Sequence, residues 1–298
     1  MHKLSEMSLS PRRARVAETF RFDPHLDLEN YDPAETCGFA DKAEAAVKLA
    51  SDITSMIKLQ EMLVAQKHYG ILIVLQGMDS AGKDSAIKHV MNGVNQQGVS
   101  VHSFQVPTVE ESRHDYLWRC ARVLPERGRI VIFNRSHYED VLVTRVHPEM
   151  LGDFQERALE QGDRFWNKRY RDINRFESYL ARNRIITIKF FLHISRDEQR
   201  NRLEARLNDP TKQWKFSAAD LTQRASWTEY AHAYELMLKA TSTKNAPWYV
   251  IPADRKWLTH LAIADIVVDR MQALDLAYPQ LSDETRAAID QQRLRIRS

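Results

Sequence analysis

A buried strand that runs straight into a glycine-rich loop leaves few ways to build a domain. Residues 71–74 read ILIV, and residues 75–85 read LQGMDSAGKDS. Gly77, Gly82 and Lys83 satisfy the spacing G-x-x-x-x-G-K of a phosphate-binding loop (Walker A). In such a loop the glycines permit a tight turn, and backbone N–H groups face inward at the start of a helix. It needs a strand behind it and a helix in front, the unit from which parallel α/β sheets are built. One position departs from the pattern. Where a Ser or Thr usually follows the lysine stands Asp84, and the hydroxyl comes one residue late, at Ser85.

The rest of the chain extends this unit. Five β-rich runs occur: 71–75, 99–106, 129–133, 185–194 and 248–253. Helical patterns separate them, the long ones over 153–183, 196–207, 217–241 and 257–275. Mostly apolar strands alternating with helices predict a doubly wound five-stranded parallel sheet sandwiched by helices. From Asp41 to Gln66, Ala46, Leu49, Ala50, Ile53, Met56, Ile57, Leu63 and Val64 recur at helical spacing, interrupted only by Gln60. Residues 1–32 read as a polar N-terminal arm and 33–298 as one domain, with no linker that would mark a second. The two cysteines, Cys37 and Cys120, are far apart, which argues against a disulfide framework or a zinc site. No apolar run approaches the ~20 residues of a membrane span. The N-terminus lacks the apolar stretch of a secretory signal, so a cytoplasmic location is expected.

Net charge is only +3, but it is unevenly placed. Between Arg164 and Lys215 there are fourteen Lys/Arg against six Asp/Glu, so the remainder is acidic. Such asymmetry points to a polyanionic partner or to a solvated helix face with internal ion pairs. No nucleic-acid motif is present, nor aromatics interleaved as a base-stacking platform, so nucleic acid is not expected; nor is a membrane partner.

The candidate site residues fall in three groups. In the loop, the backbone of Gly77, Met78, Ser80, Ala81 and Gly82 would surround phosphate, and Lys83 would supply a mobile positive charge. Asp84 either points outward, favouring the helix N-terminus by about 0.3–1 kcal/mol, with Asp79 as metal ligand or base, or both carboxylates hold metal. After the third β run, FNRSHYED (133–140) puts Asn134 at the strand end, Arg135 beside it, and Glu139 about a turn on. Asn134 can coordinate through its amide oxygen, and Arg135 can clamp phosphate bidentately. His137 and Tyr138 read as packing residues. After the fourth run, 195–217 reads as a basic helix and loop that could close as a lid and supply an arginine in cis.

Taken in order, GMDSAGKDSAIKHVMNGVN (77–95), HDYLWR (114–119), LPERGRIVIFNRSHYEDVL (124–142), KFFLHIS (189–195), ARLNDPTKQWKFS (205–217) and TSTKNAPWYVIPAD (241–254) resemble the polyphosphate kinase 2 family. These phosphate-loop enzymes move phosphate between inorganic polyphosphate and nucleotides. The resemblance implies that Asp79 is a catalytic or Mg²⁺-binding carboxylate and that Lys83 contacts the phosphoryl group in flight. It implies that Arg135 holds phosphates and that Arg206 is the lid arginine. Asp84, Ser85, Asn134, Lys212 and Lys215 join the polyphosphate- and nucleotide-binding set, and Asn134 and Glu139 join Asp79 around the metal. The cofactor would be Mg²⁺, with Mn²⁺ able to replace it. The partners would be polyphosphate and AMP, ADP or ATP, in a homo-oligomer. The FNRSHYED form looks like members that phosphorylate AMP as well as ADP. Residues 149–162 look like an addition to compact members. Two other readings stand beside this one: an ATP-dependent small-molecule kinase of similar fold, and an inactive polyanion-binding protein.

Overall fold

The computed structural model describes residues 16–215 and 218–297. Its frame is one five-stranded sheet, all parallel, in the order β2-β3-β1-β4-β5. The strands are β1 (Gly70–Gly77), β2 (Val99–Ser103), β3 (Ile130–Asn134), β4 (Ile185–His193) and β5 (Trp248–Pro252). β1 is buried along its whole length, as its unbroken apolar run requires of a central strand. The chain leaves β1 for the edge strand β2, returns inward to β3, then crosses to β4 and β5 on the other side. The order therefore reverses at β1, and a crevice opens where β1 and β3 end.

Helices cover both faces. Lys42–Gln66, Lys83–Val90 and Lys256–Gln272 pack together on one side, and Glu139–Val146, Asp163–Arg182 and Trp227–Thr241 on the other. The first helix is capped by the Asp41 side chain, which accepts from the backbone N–H groups of Ala43 and Glu44. Its buried face is rotated from the one its apolar residues suggest. Ala46, Ala50 and Val64 are exposed, whereas Asp52 and Gln60 are buried. Gln60 is held because it exchanges two hydrogen bonds with the Asn95 backbone (2.8 and 3.0 Å). Asp52 is held because Lys48 bridges it to Asp265. Specific polar partners thus outweigh the stripe.

Three expectations change in detail. The helix foreseen over 153–183 is broken at Gly162, whose φ is +50°, and a further kink sits at Gly152, φ +55°. Between 217 and 241 the helix divides into Ala218–Ala225 and Trp227–Thr241. An additional helix, Asp283–Arg297, follows the last predicted one. The polar tail read over residues 1–15 lies outside the described residues. The described part of the arm is docked: Phe20 and Phe22 are buried, and residues 20–22 pair antiparallel with β5 through Val250 N–H to Phe20 O (2.8 Å) and Phe22 N–H to Trp248 O (2.9 Å). That pairing covers one open edge of the sheet. No helix among the described residues is long and apolar enough to cross a membrane.

Candidate active site

The loop between β1 and the helix Lys83–Val90 turns back on itself through three residues at positive φ: Gly77 (+154°), Ser80 (+64°) and Gly82 (+108°). A side chain at Gly77 would meet the Leu192 carbonyl at 2.8 Å, so β4 packs too close to allow one. Inside the turn, Lys83 is 8 % exposed. Its Nζ donates to the carbonyls of Gly77 (2.7 Å) and Met78 (3.2 Å). Burial, and then the nearby Arg135, lower its pKa, while Asp79, Glu139 and Asp84 oppose that shift.

Across the crevice, at the end of β3, Arg135 also sits at positive φ, +63°. A non-glycine residue held there stores backbone strain of the kind that collects at functional sites. Its Nη2 lies 2.5 Å from Asp79 Oδ1, and its Nη1 lies 3.8 Å from Glu139 Oε2. Burial opposes the charge on Arg135, but Glu139 and Asp79 more than offset it and raise its pKa. Burial lifts the Glu139 carboxyl above its ordinary value, against Arg135 and Lys83. Asp79, Lys83, Arg135 and Glu139, read from two separate motifs, thus form one charged cluster at the mouth of the loop.

Asp84 has a partner that its sequence position does not suggest. Its Oδ1 accepts from Asn134 Nδ2 at 2.7 Å, tying the start of the loop helix to the end of β3. Asn134 is left with its amide oxygen as the one side-chain group it can offer a cation. Ser85, foreseen among the phosphate-binding residues, instead bonds His260 Nε2 at 3.1 Å. His260 stacks on His89 at 4.2 Å between centroids. Burial, reinforced by His89, Lys256 and Arg202, brings the His260 pKa from 6.5 down to about 4. A histidine kept neutral by folding protonates first in the unfolded chain. Stability is therefore expected to fall as pH drops from about 6.5 toward 4, by up to ~1.4 kcal/mol per pH unit. Denaturant titrations at pH 7 and pH 4.5 on the wild type and His260→Gln check this: the variant should lose less stability between the two.

The lid helix, Arg196–Asn208, is capped by Ser195, whose Oγ accepts from the Glu198 N–H. It reaches the loop as expected: Arg206 Nη2 donates to Ser80 Oγ at 2.9 Å. Three residues that the sequence did not single out bind the loop more closely. Arg202 donates Nη1 to the carbonyls of Ser80 and Ala81 (both 3.0 Å) and Nη2 to those of Ala253 (2.5 Å) and Asp254 (3.2 Å). Glu198 holds its Nε at 2.7 Å. Gln199 Nε2 donates to the Asp79 carbonyl (3.0 Å), and the Asp79 N–H donates to Gln223 Oε1 (2.9 Å). The Arg202–Glu198 pair at i, i+4 was the only available signal, and it reads equally as a surface pair. Lys212 stands exposed in the lid and paired with Asp209, while the side chain of Lys215 lies outside the described part. His137 and Tyr138 are fully buried packing residues, as read.

Against Asp140, the residue after Glu139, lies a cavity of about 550 Å³, lined also by Tyr116, Arg119, Phe154, Phe165 and Arg169. Arg169 lies over the rings of Tyr116 (4.8 Å) and Phe165 (5.0 Å) and donates to the Asp140 carbonyl (2.7 Å). Arg119 faces the Asp140 carboxylate at 3.5 Å. Residues 150–154 and Arg157 form one wall.

Known proteins share this fold. The family model for polyphosphate kinase 2 (PPK2) matches residues 39–278. An ADP-polyphosphate phosphotransferase of Rhodopseudomonas palustris is 41 % identical over 291 residues, covering 96 % of this chain and 98 % of that protein. An AMP/ADP-polyphosphate phosphotransferase of Meiothermus ruber is 45 % identical over 259 residues, covering 87 % and 93 %. The crystal structure of polyphosphate kinase 2 from Arthrobacter aurescens TC1 superposes with a TM-score of 0.86 at 37 % identity, covering 96 % of this chain and 98 % of that one. The chain therefore belongs to the polyphosphate kinase 2 family.

Proposed function

We propose that the protein transfers the terminal phosphoryl group of inorganic polyphosphate to nucleoside mono- and diphosphates, reversibly. The observation that carries this reading is the convergence of Lys83, Arg135, Asp79 and Glu139 on a loop whose backbone is ordered from the lid. A phosphate oxygen of the nucleotide attacks the terminal phosphorus of the chain. The P–O bond to the next phosphate breaks, and the polymer leaves one unit shorter. The attacking oxygen is already anionic, so no general base is needed, and positioning and charge do the catalysis. Lys83 exchanges its two loop carbonyls for phosphate oxygens, Arg135 presents its guanidinium fork, and Arg206 approaches from the lid. The aromatic and arginine-lined cavity beside Glu139 is assigned to the acceptor nucleotide.

Asp79 and Glu139 fit a Mg²⁺ or Mn²⁺ ion, because Mg²⁺ takes one or two carboxylates and completes its shell with phosphate and water. The Asn134 amide oxygen is a further ligand available on the same side. When bound, the ion neutralises charge on the donor phosphates. A cytoplasmic homo-oligomer is part of the same proposal. The test is product analysis with AMP and ADP as separate acceptors, polyphosphate as sole donor, and Mg²⁺ present. Formation of ADP from AMP, and of ATP from ADP, supports the reading. ATP consumption with a small acceptor and no use of polyphosphate refutes it.

A further inference from the structure

The positive surplus does not sit where a lid would need it. Within Arg196–Asn208 four arginines face three acids, and Arg200 and Arg202 are paired to Asp197, Glu204 and Glu198. The unbalanced charge lies instead on the helix Asp163–Arg182, on the far side of the chain's third crossover. Arg164, Arg171, Arg175 and Arg182 are separated by seven, four and seven residues. At 3.6 residues per turn these positions fall within about 40° of one another and form a straight stripe about 27 Å long. All four are exposed, Arg175 to 79 %.

Their heads are scarcely used. Arg164 has no hydrogen-bond or ion-pair partner among the described residues. Arg171 reaches only the Asn167 carbonyl at 3.3 Å, and Arg182 only Ser178 Oγ at 3.1 Å. Arg175 has the one acid, Asp172, at 3.6 Å, itself half exposed. The surface under them is not convex. Two adjoining depressions, of about 570 and 310 Å³, share Arg171 and Asn174 and run from Arg164 to Arg182, with Ala240 of the neighbouring helix on one wall. This helix returns the chain to the start of β4, so its Arg164 end lies toward the carboxyl ends of the strands, the end at which the phosphate loop opens.

We propose that this groove is a second polyphosphate-binding track, which holds the trailing part of a long chain while its end is at the phosphate loop. A linear, uniformly charged polyanion matches four lightly engaged guanidinium groups in a line, since each can fork onto phosphate oxygens and no base or side-chain pocket accompanies them. The proposal rests on polyphosphate being the donor. The track raises affinity for long chains through effective concentration and contributes nothing to short ones.

The test is the quadruple variant Arg164→Gln, Arg171→Gln, Arg175→Gln, Arg182→Gln in the full chain, with its thermal unfolding compared with wild type. KM for long-chain polyphosphate should rise roughly ten-fold or more, and the log–log salt slope of binding should fall by about 3, at ~0.7 for each phosphate no longer neutralised. kcat, KM for ADP and KM for tripolyphosphate should stay as in the wild type. An unchanged long-chain KM overturns the track, as does an equal loss with tripolyphosphate. Binding of labelled long-chain polyphosphate is measured alongside. If wild-type protein makes no ATP from any polyphosphate, the donor assignment fails, and the track then stands or falls on whether the variant binds the polymer more weakly. Single-stranded RNA that competes at equal phosphate concentration also overturns it.

Discussion

Lys83→Met is expected to lower the rate of phosphoryl transfer by about 10²–10³-fold, with the thermal unfolding transition kept close to wild type. Methionine retains the stem that fills the turn and removes only the charge. That charge is delivered by a buried Nζ which rests on the carbonyls of Gly77 and Met78. Asp79, Glu139 and Asp84 oppose the downward pull of burial and of Arg135 on its pKa. Lys83→Arg is not expected to rescue the rate, because a planar fork replaces a rotatable point charge inside a turn with no spare room. Single-turnover ATP formation from ADP and polyphosphate reads the effect. Near-native turnover of Lys83→Met would remove this residue from the mechanism.

The second large effect is on folding. Lys189, in the middle of β4, is fully buried and donates to Glu177 (2.6 Å), the Tyr138 hydroxyl (2.8 Å) and the Thr241 carbonyl (2.8 Å). Tyr138 in turn donates to the other Glu177 oxygen at 2.6 Å. Burial alone would raise the Glu177 carboxyl, but Lys189 and His137 bring it below its ordinary value. Glu177→Ala leaves the ammonium without its counter-charge and should cost about 3–5 kcal/mol, a fall in Tm on the order of 10 °C. The double variant Glu177→Leu, Lys189→Met should recover most of that loss, because no uncompensated charge remains. Calorimetry on the three proteins decides it. A single variant as stable as wild type would show that the network adds nothing.

Local pattern carries far in this chain, and long-range partnership does not. The sheet is legible because β1, β3, β4 and β5 are nearly unbroken apolar runs. The loop is legible because turn geometry forces glycine at Gly77 and Gly82. The charged cluster is legible in part, since Asp79 and Lys83 share one motif, and Arg135 and Glu139 another. What remained hidden joins residues more than a hundred positions apart: Arg202 to the loop carbonyls, Gln199 and Gln223 to Asp79, and Ser85 to His260. Such partnerships leave no periodicity. Asp84 was opaque for the same reason, as its partner Asn134 lies 50 residues on. The break at Gly162 was within reach, because a glycine inside a helical pattern is a stop signal.

Arg202 has a mechanical consequence. It joins the loop to the end of β5 from within the lid helix, and Arg206 adds a second tie one turn later. The helix is therefore pinned to the loop and to β5 as far as Arg206. A closing motion is expected to be carried by the tip bearing Lys212 and the exposed Trp214. A phosphate cradle held from two sides in this way is expected to keep its shape while the tip moves.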